Sequence, residues 1–127
     1  MKKYSHQFPL TTLEILKLNQ LKRGWYNGEG YEFNKNGLFW LSLNVGVILN
    51  NLENNIKVYP MVNGNVSLEG SFDNSEISIE INIISKVGYY SDVNLITSVG
   101  THCDFNLKKH NELKKLNNHL KEIFTIQ

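Results

Sequence analysis

Residues 62–83 read Val62-Asn-Gly-Asn-Val-Ser-Leu-Glu-Gly-Ser-Phe72-Asp-Asn-Ser-Glu-Ile77-Ser-Ile-Glu-Ile-Asn-Ile83. Val66, Leu68, Gly70 and Phe72 alternate with Asn65, Ser67, Glu69 and Ser71. After Asp73-Asn74, Ile77, Ile79, Ile81 and Ile83 alternate with Ser78, Glu80 and Asn82. Apolar residues at period two place one strand face in a core and the other in water, so this stretch is a β-hairpin. A two-residue loop at Asp73-Asn74 pairs Phe72 with Ser75 and Leu68 with Ile79. A four-residue loop would set Glu69 directly opposite Glu80, and like charges facing each other are unfavourable, which favours the short loop.

Upstream, Ile56 to Val62 is expected to form the preceding strand, with Asn63-Gly64-Asn65 as the turn. Pro60 cannot donate to a ladder, which places this strand at a sheet edge. A two-residue Asn-Gly loop would pair Met61 with Val66. A three-residue loop pairs Val62 with Val66 and Pro60 with Leu68, and it aligns Ile56, Val58 and Val62 with the next strand's apolar row. The second register is therefore expected. Downstream, Ser85 to Asp92 reads as a connection carrying Gly88, Tyr89 and Tyr90. Val93 to Val99 reads as a fourth strand that ends at Gly100.

Helices flank the strands. Thr11-x-x-Glu14 is a capping box for a helix over about 12–23, with Gly24 as its stop. Leu13, Leu16 and Leu21 share a broad face of it, whereas Ile15 and Leu18 fall off that face. Trp25 to Tyr31 is an aromatic and glycine connection. Asn34 or Asn36 can cap a second helix, Leu38 to Leu52. Leu38, Leu41, Val45, Ile48 and Leu52 form one stripe of this helix, and Phe39, Leu43 and Val47 a second. A helix apolar on most sides is expected to be central and covered from more than one direction. Asp104 or Asn106 can cap the last helix, whose seam is Leu113, Leu116, Leu120 and Ile123. The expectation is one domain over 1–127 with a loose arm at 1–9. Its fold class is α+β, with two N-terminal helices, a four-stranded antiparallel meander and a C-terminal helix, the helices lying on one sheet face.

Composition narrows the function classes. The chain has 127 residues, 41% hydrophobic and 20% charged, and a formal net charge of +1. That is a globular composition without a global field to attract nucleic acid or an anionic membrane. A single cysteine, Cys103, permits no intramolecular disulfide and fits a reducing, cytoplasmic compartment. No apolar run follows the N-terminal lysines, so no signal peptide is expected, and the segment 38–52 is too short and polar to span a bilayer.

Candidate chemistry is sparse. His102 and Cys103 are neighbours on an extended chain and point to opposite faces, which argues against a thiol–imidazole dyad. His6, His102, His110 and His119 lack zinc-ligand spacing, so no metal or cofactor is expected. Glu69 and Glu80 could act as ligand carboxylates on the wet face of the hairpin. Trp25, Tyr26, Tyr31, Tyr89 and Tyr90 are the candidate partner anchors, since tyrosine and tryptophan are enriched at interfaces. The lysines at 108, 109, 114, 115 and 121 read as a solvated helix face rather than a phosphate-binding stripe.

Three features carry a resemblance: Leu-Lys-Arg-Gly-Trp25-Tyr-Asn-Gly28-Glu-Gly30 before an apolar helix, then Val-Tyr-Pro60 with Asn-Gly64-Asn-Val-Ser-Leu68-Glu69, then Ile77-Ser-Ile79-Glu80-Ile81. The order resembles a family of small uncharacterised bacterial proteins with Trp-x-Gly-x-Gly, a helix, Pro, Asp-Gly-Gly, a Leu-Glu-Trp strand and an Ile-Glu-Ile strand. Gly70 stands where that tryptophan would be. Members resemble accessory genes of toxin–antitoxin or defence cassettes. The expected function is a non-enzymatic protein-binding module, antitoxin-like or an accessory of such a cassette, whose partner is another protein or a second copy of the chain. The alternatives are a small hydrolase or ligand-binding enzyme using Glu69, Glu80 or His102, and a nucleic-acid binder acting through the last helix.

Overall fold

The computed structural model describes residues 10–49 and 56–126. The expected arm at 1–9 and the end of the second helix at Leu52 lie outside the described residues. The architecture is α+β: an antiparallel five-stranded sheet in the order β1-β2-β3-β4-β5, with three helices. The strands are β1 (Lys57–Pro60), β2 (Val66–Phe72), β3 (Ser75–Asn82), β4 (Val87–Asn94) and β5 (Gly100–Asn106). The helices are α1 (Leu10–Lys17), which runs into a 3₁₀ turn over Leu18–Gln20, α2 (Lys35–Ile48) and α3 (His110–Ile126).

The hairpin β2–β3 has the expected register, with Phe72 opposite Ser75 and Leu68 opposite Ile79. Asp73 takes a positive φ of 49° to close the two-residue loop. Glu69 pairs with Ser78 and Glu80 with Ser67, so the two carboxylates avoid a direct opposition.

The register of β1 differs from the expected one. Pro60 lies opposite Val66 and Val58 opposite Leu68. The connection is five residues long because Met61 N–H bonds to Asn65 O and Gly64 N–H to Met61 O. Val62 is withdrawn from the ladder, and its carbonyl accepts from Tyr31 N–H at 3.0 Å. A displacement of two residues preserves the face of each side chain, so Ile56 and Val58 still meet the core while Val62 is exposed. Pro60 lies on an edge strand, as its missing N–H requires.

The second half of the sheet is a correction. Tyr89 and Tyr90 belong to β4, not to a connection, and a fifth strand begins at Gly100 where the fourth was expected to end. The apolar run Leu95 to Val99 is the turn between them. Asn94 Oδ1 accepts from the N–H groups of Ile96 and Thr97, and Asn94 N–H reaches Val99 O. Ser98 sits at φ 60°. This Asn-centred turn satisfies the backbone locally and leaves Leu95, Ile96 and Val99 exposed. Asp104 and Asn106 are therefore strand residues, and α3 starts later, at His110.

The core lies between one sheet face and the helices. Val66, Leu68, Ile77, Ile79, Ile81, Ile83, Tyr90 and Phe105 meet Ile15, Leu18, Leu38, Leu41, Val45, Ile48, Leu116 and Leu120. Asn34 caps α2 through Gly37 N–H at 2.8 Å. At Gly37 the helix comes so close to the sheet that an added Cβ would stand 2.7 Å from Ile83 O. Asn117 on α3 donates to Val47 O and Ile48 O, closing the C-terminal end of α2.

Three helix expectations are reversed. Ile15 and Leu18 are the core residues of the first helical segment, and Leu13 and Leu16 are exposed. Thr11 lies inside α1 rather than ahead of it, so it is not an N-cap. On α2 the stripe Phe39, Leu43 and Val47 faces outward at 60%, 67% and 54% exposure. That helix is covered on one side rather than surrounded. No helix among the described residues is long and apolar enough to cross a membrane.

Candidate functional site: the open face of the sheet

Among the described residues, the three helices pack on one side of the sheet and leave its other face open. Strand alternation dictates what that face carries. Cross-strand neighbours form rows: Tyr59, Ser67, Glu80, Tyr89 and Asp104 in one, and Lys57, Glu69, Ser78, Ser91 and His102 in the next. Glu76 lies beyond them, opposite Ser71 and Val93. The strand positions of this face hold four carboxylates, Glu69, Glu76, Glu80 and Asp104, against one lysine, Lys57. The near-zero net charge of the chain thus conceals an acidic surface. The basic residues Lys108, Lys109, Lys114, Lys115 and Lys121 belong to α3 and the turn before it.

The polar side chains are ordered by one another. Ser67 Oγ donates to Glu69 Oε2 at 2.8 Å, and Asn65 Nδ2 to Glu80 Oε2 at 2.6 Å. Asn63 Nδ2 reaches the same Glu80 oxygen at 3.4 Å. Ser78 and Ser91 share a hydrogen bond of 2.8 Å. Glu69 and Glu80 are diagonal neighbours with Ser67 between them. Each has a donor of its own, and neither has the other as a partner. A groove of about 800 Å³ crosses this face, lined by Lys57, Tyr59, Glu69, Glu76, Ser78 and Ser91. Tyr59, in its lining, is 44% exposed, and Tyr89, elsewhere on the same face, is 41% exposed.

The aromatic anchors divide by environment. Tyr89 is on the open face. Tyr90, its neighbour, points to the opposite side and is 1% exposed. Trp25 packs against the core, donates its indole N–H to Tyr31 O at 3.0 Å and stacks obliquely on Phe33. Tyr26 and Tyr31 are exposed around it. Asn27 and Gly28, both at positive φ, close the tight hairpin that joins Tyr26 to Glu29. A recess of about 300 Å³ lies between Arg23, Glu29, Tyr31 and Val62, next to the β1–β2 turn. His102 and Cys103 sit on β5 pointing to opposite faces, and the described residues contain no cluster of three or more His, Cys, Asp or Glu that could hold a metal.

A polar cluster that sequence reasoning missed lies on the helix side of β4. Asp92 Oδ2 accepts from Tyr90 Oη at 2.7 Å and lies 3.3 Å from His119 Nε2 on α3. Asp92 Oδ1 accepts from Thr101 N–H and Thr101 Oγ1 on β5. The rings of Tyr90 and His119 meet edge to face at 4.9 Å. Burial, then the hydrogen bond to Asp92 and the charges of Asp92 and Cys103, push the Tyr90 phenol far above its ordinary pKa. Burial opposes ionisation of Asp92 as well. The hydrogen bonds from Tyr90, Thr101 and His119 outweigh it and hold this carboxyl below the usual value. The cluster ties two strands to α3, and its buried phenol is locked as a donor. The only sequence signal for it was the i, i+2 spacing of Tyr90 and Asp92, legible once β4 is a strand.

With this geometry in place, comparison with protein-family models, with curated proteins and with solved structures gives no match for the chain.

Proposed function

We propose that this protein is a non-enzymatic protein-binding module that receives a basic protein surface on the open face of its sheet. One observation carries the reading. A five-stranded sheet with helices on one side leaves a groove of about 800 Å³ lined by Tyr59, Glu69, Glu76 and Lys57, on a face that also carries Tyr89, Glu80 and Asp104. Tyrosines supply rigid apolar area with a polar tip, and a one-signed rim of charge steers and selects an oppositely charged partner. Glu69 and Glu80 are held by Ser67 and Asn65, which suits fixed acceptors at an interface. An antitoxin-like or defence-accessory role is the finer form of this reading, and it rests on the turn and strand pattern of the sequence.

The test is capture from the native host with tagged wild-type protein and with the double variant Tyr59→Ala, Tyr89→Ala. The expected result is a stoichiometric partner with a basic surface, retained by wild type, lost from the variant and released by salt. A partner held equally by both proteins would place binding elsewhere and overturn the reading, as would a salt-insensitive complex.

A further inference from the structure

Strand β5 is the long outer edge of the sheet, and it carries no proline, lysine or bulge. Natural edges are blunted by proline, lysine, bulges or brevity. The opposite edge, β1, has four residues and Pro60. β5 has seven, Gly100-Thr-His-Cys-Asp-Phe-Asn106, paired with β4 residue for residue without a bulge. The direction of its free groups follows from the ends of the ladder. Leu107 N–H bonds to Lys86 O, and Asn94 N–H to Val99 O. Antiparallel alternation then turns the N–H and C=O groups of Thr101, Cys103 and Phe105 toward β4, and those of His102 and Asp104 outward. Asn106 N–H, which also points outward, is taken by Glu112 Oε1 at 2.7 Å. Among the described residues no further backbone bond meets the outward groups of His102 and Asp104. The unpaired edge is therefore centred on Cys103.

We propose that a second copy of this chain docks here, β5 against β5 in antiparallel fashion, with the two-fold axis at Cys103. The two sheets become one of ten strands, and their open faces become continuous. Donor–acceptor complementarity selects this occupant and register: an imidazole N–H meets a carboxylate that accepts. A two-fold pairing centred on Cys103 sets His102 opposite Asp104 of the second copy, and symmetry repeats the contact. Each pair exchanges two backbone hydrogen bonds, and the imidazole and carboxylate meet on the open face. The neighbouring two-fold registers, displaced by two residues, would set His102 on His102 or Asp104 on Asp104, like facing like. In the chosen register the two Cys103 residues form the non-hydrogen-bonded pair at the axis. Their Cα atoms are then about 4.5 Å apart, within the range a disulfide can bridge. The thiols report the register; they do not create the dimer.

The test is the solution mass of the full chain under reducing conditions, by sedimentation or light scattering over a wide concentration range. The expected mass is twice the 14.7 kDa of one chain. His102→Asp sets carboxylates against carboxylates twice and is expected to weaken dimerisation by about tenfold or more. Adding Asp104→His to it exchanges the two side chains and restores the dimer. Circular dichroism verifies that both variants are folded. Treating the dimer with diamide joins the two Cys103 sulfurs; the two thiol protons and two electrons pass to the azo group, which becomes the hydrazine. A wild-type chain that stays monomeric at every concentration overturns the proposal. So does a dimer indifferent to His102→Asp, or a dimer that diamide does not cross-link. The Tyr59→Ala, Tyr89→Ala variant keeps its dimer whatever becomes of its partner binding, so this test and that of the binding face fail independently.

Discussion

Asp92→Ala is the most informative perturbation of the fold. The carboxylate accepts from Tyr90 Oη, Thr101 N–H, Thr101 Oγ1 and His119, and so joins β4, β5 and α3. These contacts are unequal. Thr101 is exposed and His119 half-buried, so water replaces part of what they lose. Tyr90 is 1% exposed, and its hydroxyl would be orphaned. A hydrogen bond to a charged group contributes about 1.5–3 kcal/mol, and an unsatisfied buried donor costs about 1–3 kcal/mol. The expected loss is about 2–4 kcal/mol, dominated by Tyr90. Urea unfolding measures it. The double variant Tyr90→Phe, Asp92→Ala removes the orphaned donor and should recover about 1–2 kcal/mol relative to the sum of the single effects. The pH dependence has a definite sign. The folded-state pKa of Asp92 is depressed, so its contribution is fully present above the unfolded carboxyl pKa of about 3.9 and is lost as pH falls through the folded value. The stability gap between wild type and Asp92→Ala should therefore be constant near neutrality and shrink in acid. Strict additivity in the cycle, or a gap that widens in acid, would refute the reasoning.

Other substitutions probe the packing. Gly37→Ala gains helix propensity, but its Cβ would meet Ile83 O at 2.7 Å and Ile83 Cγ1 at 2.8 Å. Propensity returns at most about 1 kcal/mol and overpacking costs about 1–3, so net destabilisation of about 1–2 kcal/mol is expected in urea. On the same helix, Leu41→Ala empties a fully buried site and should cost about 2–5 kcal/mol, whereas Leu43→Ala, at 67% exposure, should change the unfolding free energy by less than about 0.5 kcal/mol. If Leu43 proved as costly as Leu41, the second stripe of α2 would be covered after all. Gly30→Ala adds a methyl 2.6 Å from Trp25 Nε1 at a φ of 104°. A shift in tryptophan fluorescence together with loss of stability is the expected readout.

The β2–β3 hairpin and strand β4 show how far local pattern reaches. The β2–β3 hairpin was legible because its apolar residues keep strict alternation and a two-residue loop admits one register that separates Glu69 from Glu80. Strand β4 inverts that signal. Its inward positions are Gly88, Tyr90 and Asp92, and its outward positions include Val87, Tyr89 and Val93. No hydropathy pattern identifies such a strand; pairing with β3 and cover from α3 define it. The apolar run at Leu95 to Val99 imitates a strand, yet Asn94 bends it into a turn.

The sequence by itself determined the α+β class, the central hairpin and its register, the edge position of β1 and the apolar seam of α3, and it narrowed the α2 cap to Asn34 or Asn36. Each depends on neighbours within a few residues: alternation, a missing N–H, a capping oxygen. Tertiary structure decided what depends on partners far along the chain. The claim of Tyr31 N–H on Val62 O set the β1 register. Packing against the sheet chose Ile15 and Leu18 over Leu13 and Leu16, and left Phe39, Leu43 and Val47 in water. Asp92 met His119 across 27 residues. The acidic open face exists because all three helices lie on one side, a choice of layers that no local pattern of residues 62–83 contains.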